Sequence, residues 1–125
     1  IIAHDISVPL SNIQSFIQDT SKEIKKFDKF SKIINFGHLG DNNLHFNVLI
    51  NSYELSKKNK IKKSVNRIVF DNVNKFGGAI SAEHGIGQLR KKELTVHKSR
   101  DEIKLMKKIK KLFDPRNILN PGKVI

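Results

Sequence analysis

A predicted β-hairpin that carries two histidines constrains the fold more than any other feature of this sequence. Residues 37–47 read GHLGDNNLHFN, in which the turn-forming run GDNN separates His38 from His45. After this turn, apolar and polar residues alternate, which is the period of a strand with one buried face. Residues 33–38 and 44–50 are therefore predicted to pair as antiparallel strands, and both imidazoles can then face one point in space.

A second polar cluster, SAEHGIG at residues 81–87, supplies Glu83 and His84. Two imidazoles and one carboxylate are the donor set of an open catalytic zinc site or of a non-haem iron site, so His38, His45 and Glu83 are candidate metal ligands. The alternative is that the two histidines are exposed or hydrogen-bonded structural residues. His84 is a candidate general base, because imidazole readily exchanges a proton near neutral pH. Adjacent strand residues point to opposite faces, so Glu83 and His84 share a site only if the strand ends or bulges at the glycine that follows.

Four other polar residues are given structural interpretations. Asp41 is predicted to accept backbone hydrogen bonds in the hairpin turn, with the orientation of a histidine as the alternative. Asn42 can occupy a position of positive φ, where glycine would otherwise be expected. His4 and His97 are assigned to structure or to the surface.

The predicted elements follow the order β-α-β-β-α-β, with a helical region and an irregular tail after them. Ser11 and Gln14 form a capping-box pattern at the start of the first helix, and Gly77 and Gly78 end the second. This order is the ferredoxin-like α+β arrangement, in which an antiparallel sheet has its helices on one face and leaves the other face available. The predicted strands are 2–10, 33–38, 44–50 and 79–83; the predicted helices run from 11 to about 27, from beyond a connection at 51–55 to about 76, and from about 88 to 113 with a break near 95–99.

Length and composition limit the classes of function. The 125 residues suit one domain, spanning 1–125, and the absence of cysteine excludes disulfides and thiolate ligands. The net charge of +12 is large, but the lysines fall mainly on the outer faces of predicted helices, and Tyr53 is not interleaved with basic residues as base stacking requires. We therefore expect no nucleic-acid partner. No apolar run approaches the roughly 20 residues of a membrane helix, so we expect a soluble, cytoplasmic protein or one peripheral to the membrane.

Three strings in order, GHLGDNNLHFN, GGAISAEHGIG and DPRNILNPGK, resemble the C-terminal part of the FAD-linked oxidases of the D-2-hydroxyglutarate, D-lactate and glycolate dehydrogenase type. The opening HDISVPL is similar to the segment before a helix of the capping domain in that family. The resemblance covers nearly the whole chain. One departure is Ala3, where relatives often carry a lysine.

The resemblance implies a function and a set of site residues. It implies that His38, His45 and Glu83 hold a divalent metal, zinc being the expected ion, and that Asn47 contacts a bound 2-hydroxy acid. It implies that His84 takes the hydroxyl proton while hydride passes to FAD.

It further implies that FAD lies in a separate N-terminal domain, supplied in cis or in trans, against which the tail near Asn120 packs. The chain starts at Ile1, without methionine, and has no glycine-rich segment long enough to cradle a dinucleotide, so we expect a fragment that is inactive alone. The alternatives are an inactive gene remnant and a flavin-independent metal enzyme that uses the same His/His/Glu set. A homodimer is left open.

Overall fold

A computed structural model describes residues 1–50 and 57–125, which divide into two compact units, Ile1–His84 and Gly85–Ile125. The connection predicted at 51–55 lies outside the described residues, and the single capping domain stays a prediction. No helix among the described residues is long and apolar enough to cross a membrane. The elements are β1 (Ile2–Ser7), α1 (Ile13–Phe27), β2 (Lys32–His38), β3 (Asn43–Leu49), α2 (Lys58–Lys75), α3 (Lys91–His97) and α4 (Arg100–Phe113).

The first unit is built on an antiparallel sheet in the order β1-β3-β2, which confirms the predicted hairpin and the α+β class. A short 3-10 turn, Leu39–Asp41, joins β2 to β3, and Asn42 follows it at a φ of 58°. This left-handed conformation confirms the prediction for Asn42, because asparagine tolerates positive φ better than most residues. Asp41 is an exposed turn residue.

Helices α1 and α2 cover one face of the sheet. Phe16 of α1 meets Phe46 of β3 edge to face, with ring centroids 5.6 Å apart, and Phe70 of α2 meets His4 in the same way at 5.5 Å. Aromatic pairs at this geometry add to the stability that comes from burial alone. The buried apolar residues of the first unit are Ile6, Val8, Ile13, Phe16, Ile24, Leu44, Phe46, Val48, Val65, Val69, Phe70, Val73 and Ile80.

His4 belongs to this core, as the structural interpretation predicts. It is 1% exposed, and its Nδ1 lies 2.9 Å from the carbonyl oxygen of Phe46. Its Nε2 lies 3.0 Å from the Asn66 Oδ1 of α2. A buried imidazole with both nitrogens hydrogen-bonded is a structural residue, because neither nitrogen is left without a partner. His97 is the partly exposed last residue of α3.

The predicted fourth strand, 79–83, is wrong as a strand. Among the described residues, Ala79 forms an isolated antiparallel bridge with Ser7, and residues 80–84 have no regular secondary structure. The physical reason is that the backbone N–H groups that would extend a ladder donate instead to the side chain of Asp5. The β-α-β-β-α order is therefore observed, without the final strand of the ferredoxin-like arrangement.

The capping box predicted at Ser11 is also wrong. A 3-10 turn, Leu10–Asn12, precedes α1, whose N-cap is Asn12, and the structure gives this cap no side-chain hydrogen bond. The Asn12 side chain instead donates to the carbonyl oxygen of Phe76 at 3.0 Å. The tertiary contact with the end of α2 thus replaces the local cap that the sequence pattern favours.

The second unit contains α3, α4 and the tail. The predicted break in the helical region is confirmed at Lys98 and Ser99, where Ser99 forms a complete capping box with Glu102 at the start of α4. Beyond α4, the buried Asp114 carboxylate accepts the backbone N–H groups of Ile118 and Leu119 at 2.8 and 2.9 Å. The carboxylate therefore fixes the first turn of the tail to the end of the helix.

Candidate active site

The sheet face opposite the helices carries the predicted hairpin site. Strand alternation and register place Asp5, His45 and Phe36 in one row across β1, β3 and β2. The row nearer the turn holds Ser7, Asn43 and His38, and the row farther from it holds Ala3, Asn47 and Ile34. Both hairpin histidines and Asn47 thus lie on one face, because side chains two residues apart on a strand share a side.

Asp5 joins the segment 81–84 to this face. Its Oδ2 accepts the backbone N–H groups of Ala82 at 3.2 Å, Glu83 at 3.0 Å and His84 at 2.8 Å. The same oxygen accepts the Ser81 hydroxyl at 3.2 Å. The Asp5 side chain is only 6% exposed, so this ring of donors takes the place of water around its charge.

The hydrogen bonds decide the protonation of Asp5. Burial raises the pKa of its carboxyl, but the backbone hydrogen bonds from His84, Glu83 and Ala82 and the hydroxyl of Ser81 lower it further than burial raises it. The net pKa lies below the ordinary aspartate value, because each donor stabilises the carboxylate form. Asp5 is therefore an anion at neutral pH.

Glu83 extends from this segment toward the hairpin turn. Its Oε1 accepts a hydrogen bond from Asn43 Nδ2 and lies 3.7 Å from His38 Nε2. Asn43 is buried, and its Oδ1 has no hydrogen-bond partner among the described residues. The carboxylate is thus held between the buried amide of β3 and the last residue of β2.

His45 lies between two other rings. Its centroid is 4.9 Å from that of Phe36 on β2 and 5.8 Å from that of His84. The His84 side chain is 70% exposed, and its Nδ1 is 4.0 Å from Asp5 Oδ2. The chain therefore brings His84 to the same side as Glu83, which the absence of a strand at 80–84 permits.

The donor atoms meet the basic geometric requirement of a cation site. Asp5, His45 and Glu83 each offer an atom such that all three lie within 4.8 Å of one another, and His38 Nε2 lies 3.7 Å from Glu83 Oε1. Imidazole nitrogen and carboxylate oxygen are the ligands that zinc accepts when no thiolate is present. Asp5 is the least suitable ligand of the four, because Oδ2 already receives four donors. Among the described residues, the group whose donor atoms meet this distance criterion is Asp5, His45 and Glu83, and His38 is related to it by its 3.7 Å approach to Glu83.

Two residues of this cluster were not singled out from the sequence. Asp5 lies within HDISVPL, and strand alternation places it on the polar face, but its bonding partners are more than 70 residues away. The turn-forming run GDNN predicts Asn43 in the turn, whereas it is the buried first residue of β3. The register of the sheet, which pairs Asp5 with His45 and Asn43 with His38, is the signal that brings both into the site.

Asn120 belongs to the second unit, Gly85–Ile125. It is exposed, with a φ of 47°, in the tail that follows the Asp114 turn. Its left-handed backbone is another case in which asparagine occupies a conformation that glycine favours.

The fold and the cluster define a class: an α+β domain whose sheet face opposite the helices carries a cluster of histidines and carboxylates. Comparison with known families is more specific. Residues 1–124 match the family described as "FAD linked oxidases, C-terminal domain", and the chain belongs to this family.

Several curated proteins resemble the chain along almost all of its length. A D-2-hydroxyglutarate dehydrogenase of Stutzerimonas stutzeri is 38% identical over 123 residues, which are 97% of this chain and 26% of that protein. The mitochondrial D-2-hydroxyglutarate dehydrogenase of Arabidopsis thaliana is 35% identical over 122 residues, covering 98% of this chain and 21% of the relative. The GlcD subunit of glycolate oxidase from Bacillus subtilis is 34% identical over 123 residues, which are 98% of this chain and 26% of that protein. The chain spans about a quarter of the length of these relatives.

Proposed function

We propose that this chain is the substrate- and metal-binding part of a flavin-dependent dehydrogenase that oxidises a 2-hydroxy acid to a 2-oxo acid. The observation that carries the proposal is the convergence of His38, His45, Glu83 and His84 on one end of the open sheet face. The names of the relatives support it, because they describe oxidation of 2-hydroxyglutarate and of glycolate.

His38, His45 and Glu83 are the proposed metal ligands. The 3.7 Å approach of His38 Nε2 to Glu83 Oε1 and the proximity of Glu83 to His45 support this set. The side chains of His38 and Glu83 are 67% and 45% exposed, which leaves room for a substrate beside the ligands. When bound, the metal would supply a Lewis acid that polarises the substrate hydroxyl, and FAD would supply the hydride acceptor.

His84 is the proposed general base. Its ring is exposed and faces His45, so it can approach a hydroxyl group placed at the metal ligands. The imidazole takes the hydroxyl proton as the carbinol carbon gives up its hydrogen with the bonding electron pair, and the oxygen becomes the carbonyl of the 2-oxo acid. The Asp5 carboxylate is a near neighbour, with its Oδ2 4.0 Å from His84 Nδ1.

Asn47 is the proposed contact to the hydroxy acid. It lies on the same face of β3 as His45, two residues along, and is partly exposed between Ala3 and Ile34. Its amide can donate to a carboxylate oxygen or accept from the hydroxyl. FAD is proposed to come from a partner domain, in cis or in trans, with Asn120 and the tail contributing to that contact.

A chimaera tests this function. The FAD-binding portion of the Stutzerimonas relative is joined ahead of this chain, and anaerobic bleaching of the flavin is followed after mixing with D-2-hydroxyglutarate, D-lactate or glycolate. At least one of these acids should reduce the flavin, and His84→Ala should slow that reduction by a factor on the order of 100 or more while metal content is kept. The matched control is His97→Ala, a histidine of the second unit.

Two results would count against the proposal. Flavin that is bound normally but reduced by none of the acids would refute the dehydrogenase. Reduction at an unchanged rate in His84→Ala would remove this histidine from the proton transfer while leaving the dehydrogenase in place.

A further inference from the structure

We propose that Asp5 is the positioning residue that holds Glu83 and His84 beside His45. This inference rests on the proposed function of these three residues, and it assigns to Asp5 a role that precedes metal binding. The relevant observation is that one buried carboxylate receives the backbone N–H groups of three consecutive residues, 82–84.

The segment that carries Glu83 and His84 depends on this carboxylate. At its start, the bridge between Ser7 and Ala79 fixes the chain through two backbone hydrogen bonds of 3.0 and 2.9 Å. Residues 80–84 then have no regular structure among the described residues, and the N–H groups of 82–84 turn to Asp5. Without that acceptor, three partly buried backbone donors would lose their protein partner, and the path of the segment would no longer be fixed.

Asp5 lies beside His45 on the sheet, where it can hold residues 82–84 next to that histidine. Asp5 pairs directly with His45 in the β1–β3 register, so the carboxylate and the metal ligand rise side by side from adjacent strands. A segment tied to Asp5 must therefore pass beside His45, and the 5.8 Å separation of the His45 and His84 rings follows from it. The same tie places the Glu83 side chain within reach of Asn43 and His38.

The hydrogen-bond count favours positioning over direct ligation. Oδ2 of Asp5 accepts from four groups, and Oδ1 accepts from the Glu83 N–H at 3.3 Å. An ionised carboxylate has about four acceptor sites in all. Metal coordination by Oδ2 would have to displace the donors that hold Glu83 in place, and coordination by Oδ1 would compete with the bond from the Glu83 N–H at 3.3 Å. We therefore infer that the Asp5 carboxylate holds the backbone of residues 82–84, and His38, His45 and Glu83 remain the proposed metal ligands.

Asp5→Asn is the informative substitution, since it preserves shape and replaces one acceptor oxygen by an NH2 group that cannot accept. The second unit offers a matched control in Asp114→Asn. Asp114 is another buried carboxylate that accepts two consecutive backbone N–H groups, those of Ile118 and Leu119, and it makes none of the contacts described for the site.

The test uses two readouts on the full chain. First, amide hydrogen exchange is measured by NMR on chain stripped of metal with a chelator. In the native chain, the amides of Glu83 and His84 should exchange at least about tenfold more slowly than that of Gly85, and this protection should disappear in Asp5→Asn and persist in Asp114→Asn. Second, zinc affinity is measured by calorimetric titration; Asp5→Asn should weaken it about 10- to 100-fold, as loss of groups that orient ligands does elsewhere, and Asp114→Asn should leave it unchanged.

Each outcome has a distinct meaning. Loss of protection together with weaker zinc binding supports the assignment. Loss of zinc affinity with unchanged exchange at 82–84 would overturn it and make Asp5 a ligand instead. A native chain that binds no zinc, but whose 82–84 amides depend on Asp5, would refute the proposed metal site and retain the positioning role. If Asp5→Asn does not fold, amide exchange in the native chain alone tests the inference. Exchange at Glu83 and His84 as fast as at Gly85 would overturn it.

Discussion

Gly37→Ala should destabilise the first unit by a steric clash inside the histidine hairpin. A Cβ at this position would lie 2.2 Å from the carbonyl oxygen of Asn43, 3.0 Å from its carbonyl carbon and 3.1 Å from the Cα of Leu44. All three are backbone atoms of β3, so no side-chain rotation can relieve the contact. The strands must instead separate by a substantial fraction of an ångström where β2 meets β3.

The expected cost follows from comparable overpacking. Inserting a carbon into a well-packed region typically costs about 1–3 kcal/mol of unfolding free energy, and backbone neighbours place this case at the upper end. At about 4 °C per kcal/mol for a chain of this size, the Tm of the variant should fall by about 8–12 °C. Since Asn43 contacts Glu83 and pairs with His38, zinc affinity at the proposed site should fall together with stability.

Gly40→Ala is the matched control in the same hairpin. A Cβ on Gly40 meets no atom within 4 Å, so this variant should unfold within about 0.5 kcal/mol of the native chain. Both variants are compared by urea unfolding followed by circular dichroism, with thermal melts as a second measure. Equal midpoints for Gly37→Ala and Gly40→Ala would refute the close approach of the two strands and the register derived from it.

Three further substitutions test other parts of the structure. Phe46→Ala should cost about 3–5 kcal/mol in urea unfolding, because it empties a fully buried site between helix and sheet; a loss below 1 kcal/mol would contradict that burial. Ser99→Ala should cost about 0.5–2 kcal/mol through loss of the capping box, measured in the same way. Hydrogen bonds from Lys98 and from Ser99 lower the pKa of Glu102 to about 2 in the folded chain. The contribution of Glu102 to stability is therefore present above its unfolded pKa of 4.5 and should be lost as the pH falls toward 2. An NMR titration of Glu102 with a midpoint near 4.5 would disprove those hydrogen bonds. Asn42→Ala should lower the Tm, because alanine is strained at a φ of 58°.

Local patterns were sufficient to predict the parts of the fold whose stabilising contacts are local. The alternation of residues 44–50 and the turn before it predict the hairpin, and the helix predicted to end near residue 27 is observed as α1. Asn42 was predicted at positive φ from residue type alone. Strand alternation also places His38, His45 and Asn47 on one face of the sheet, so this part of the site can be predicted from the sequence.

The incorrect predictions share a cause in long-range contacts. Residues 79–83 have the composition of a strand, but the N–H groups of Ala82 and Glu83 donate to Asp5, which precedes them by more than 70 residues. Ser11 has the sequence pattern of a capping box, yet the start of α1 is fixed by a contact between Asn12 and the end of α2. Ser99 has the same pattern, the described part of the chain gives it no competing tertiary contact, and there the capping box forms. A local motif therefore predicts structure only where tertiary partners do not claim the same hydrogen-bonding groups.

The most direct test of the central claim is the metal content of the purified chain. Chain prepared without a metal-affinity tag is analysed by elemental mass spectrometry, beside a His38→Ala, His45→Ala double variant and a His97→Ala control, with folding checked by circular dichroism. We expect close to one divalent ion per chain, with zinc the expected ion, in the native chain and in His97→Ala, and loss of that ion in the double variant. Retention of the ion by the double variant, or no bound ion in well-folded native chain supplied with zinc, would contradict it.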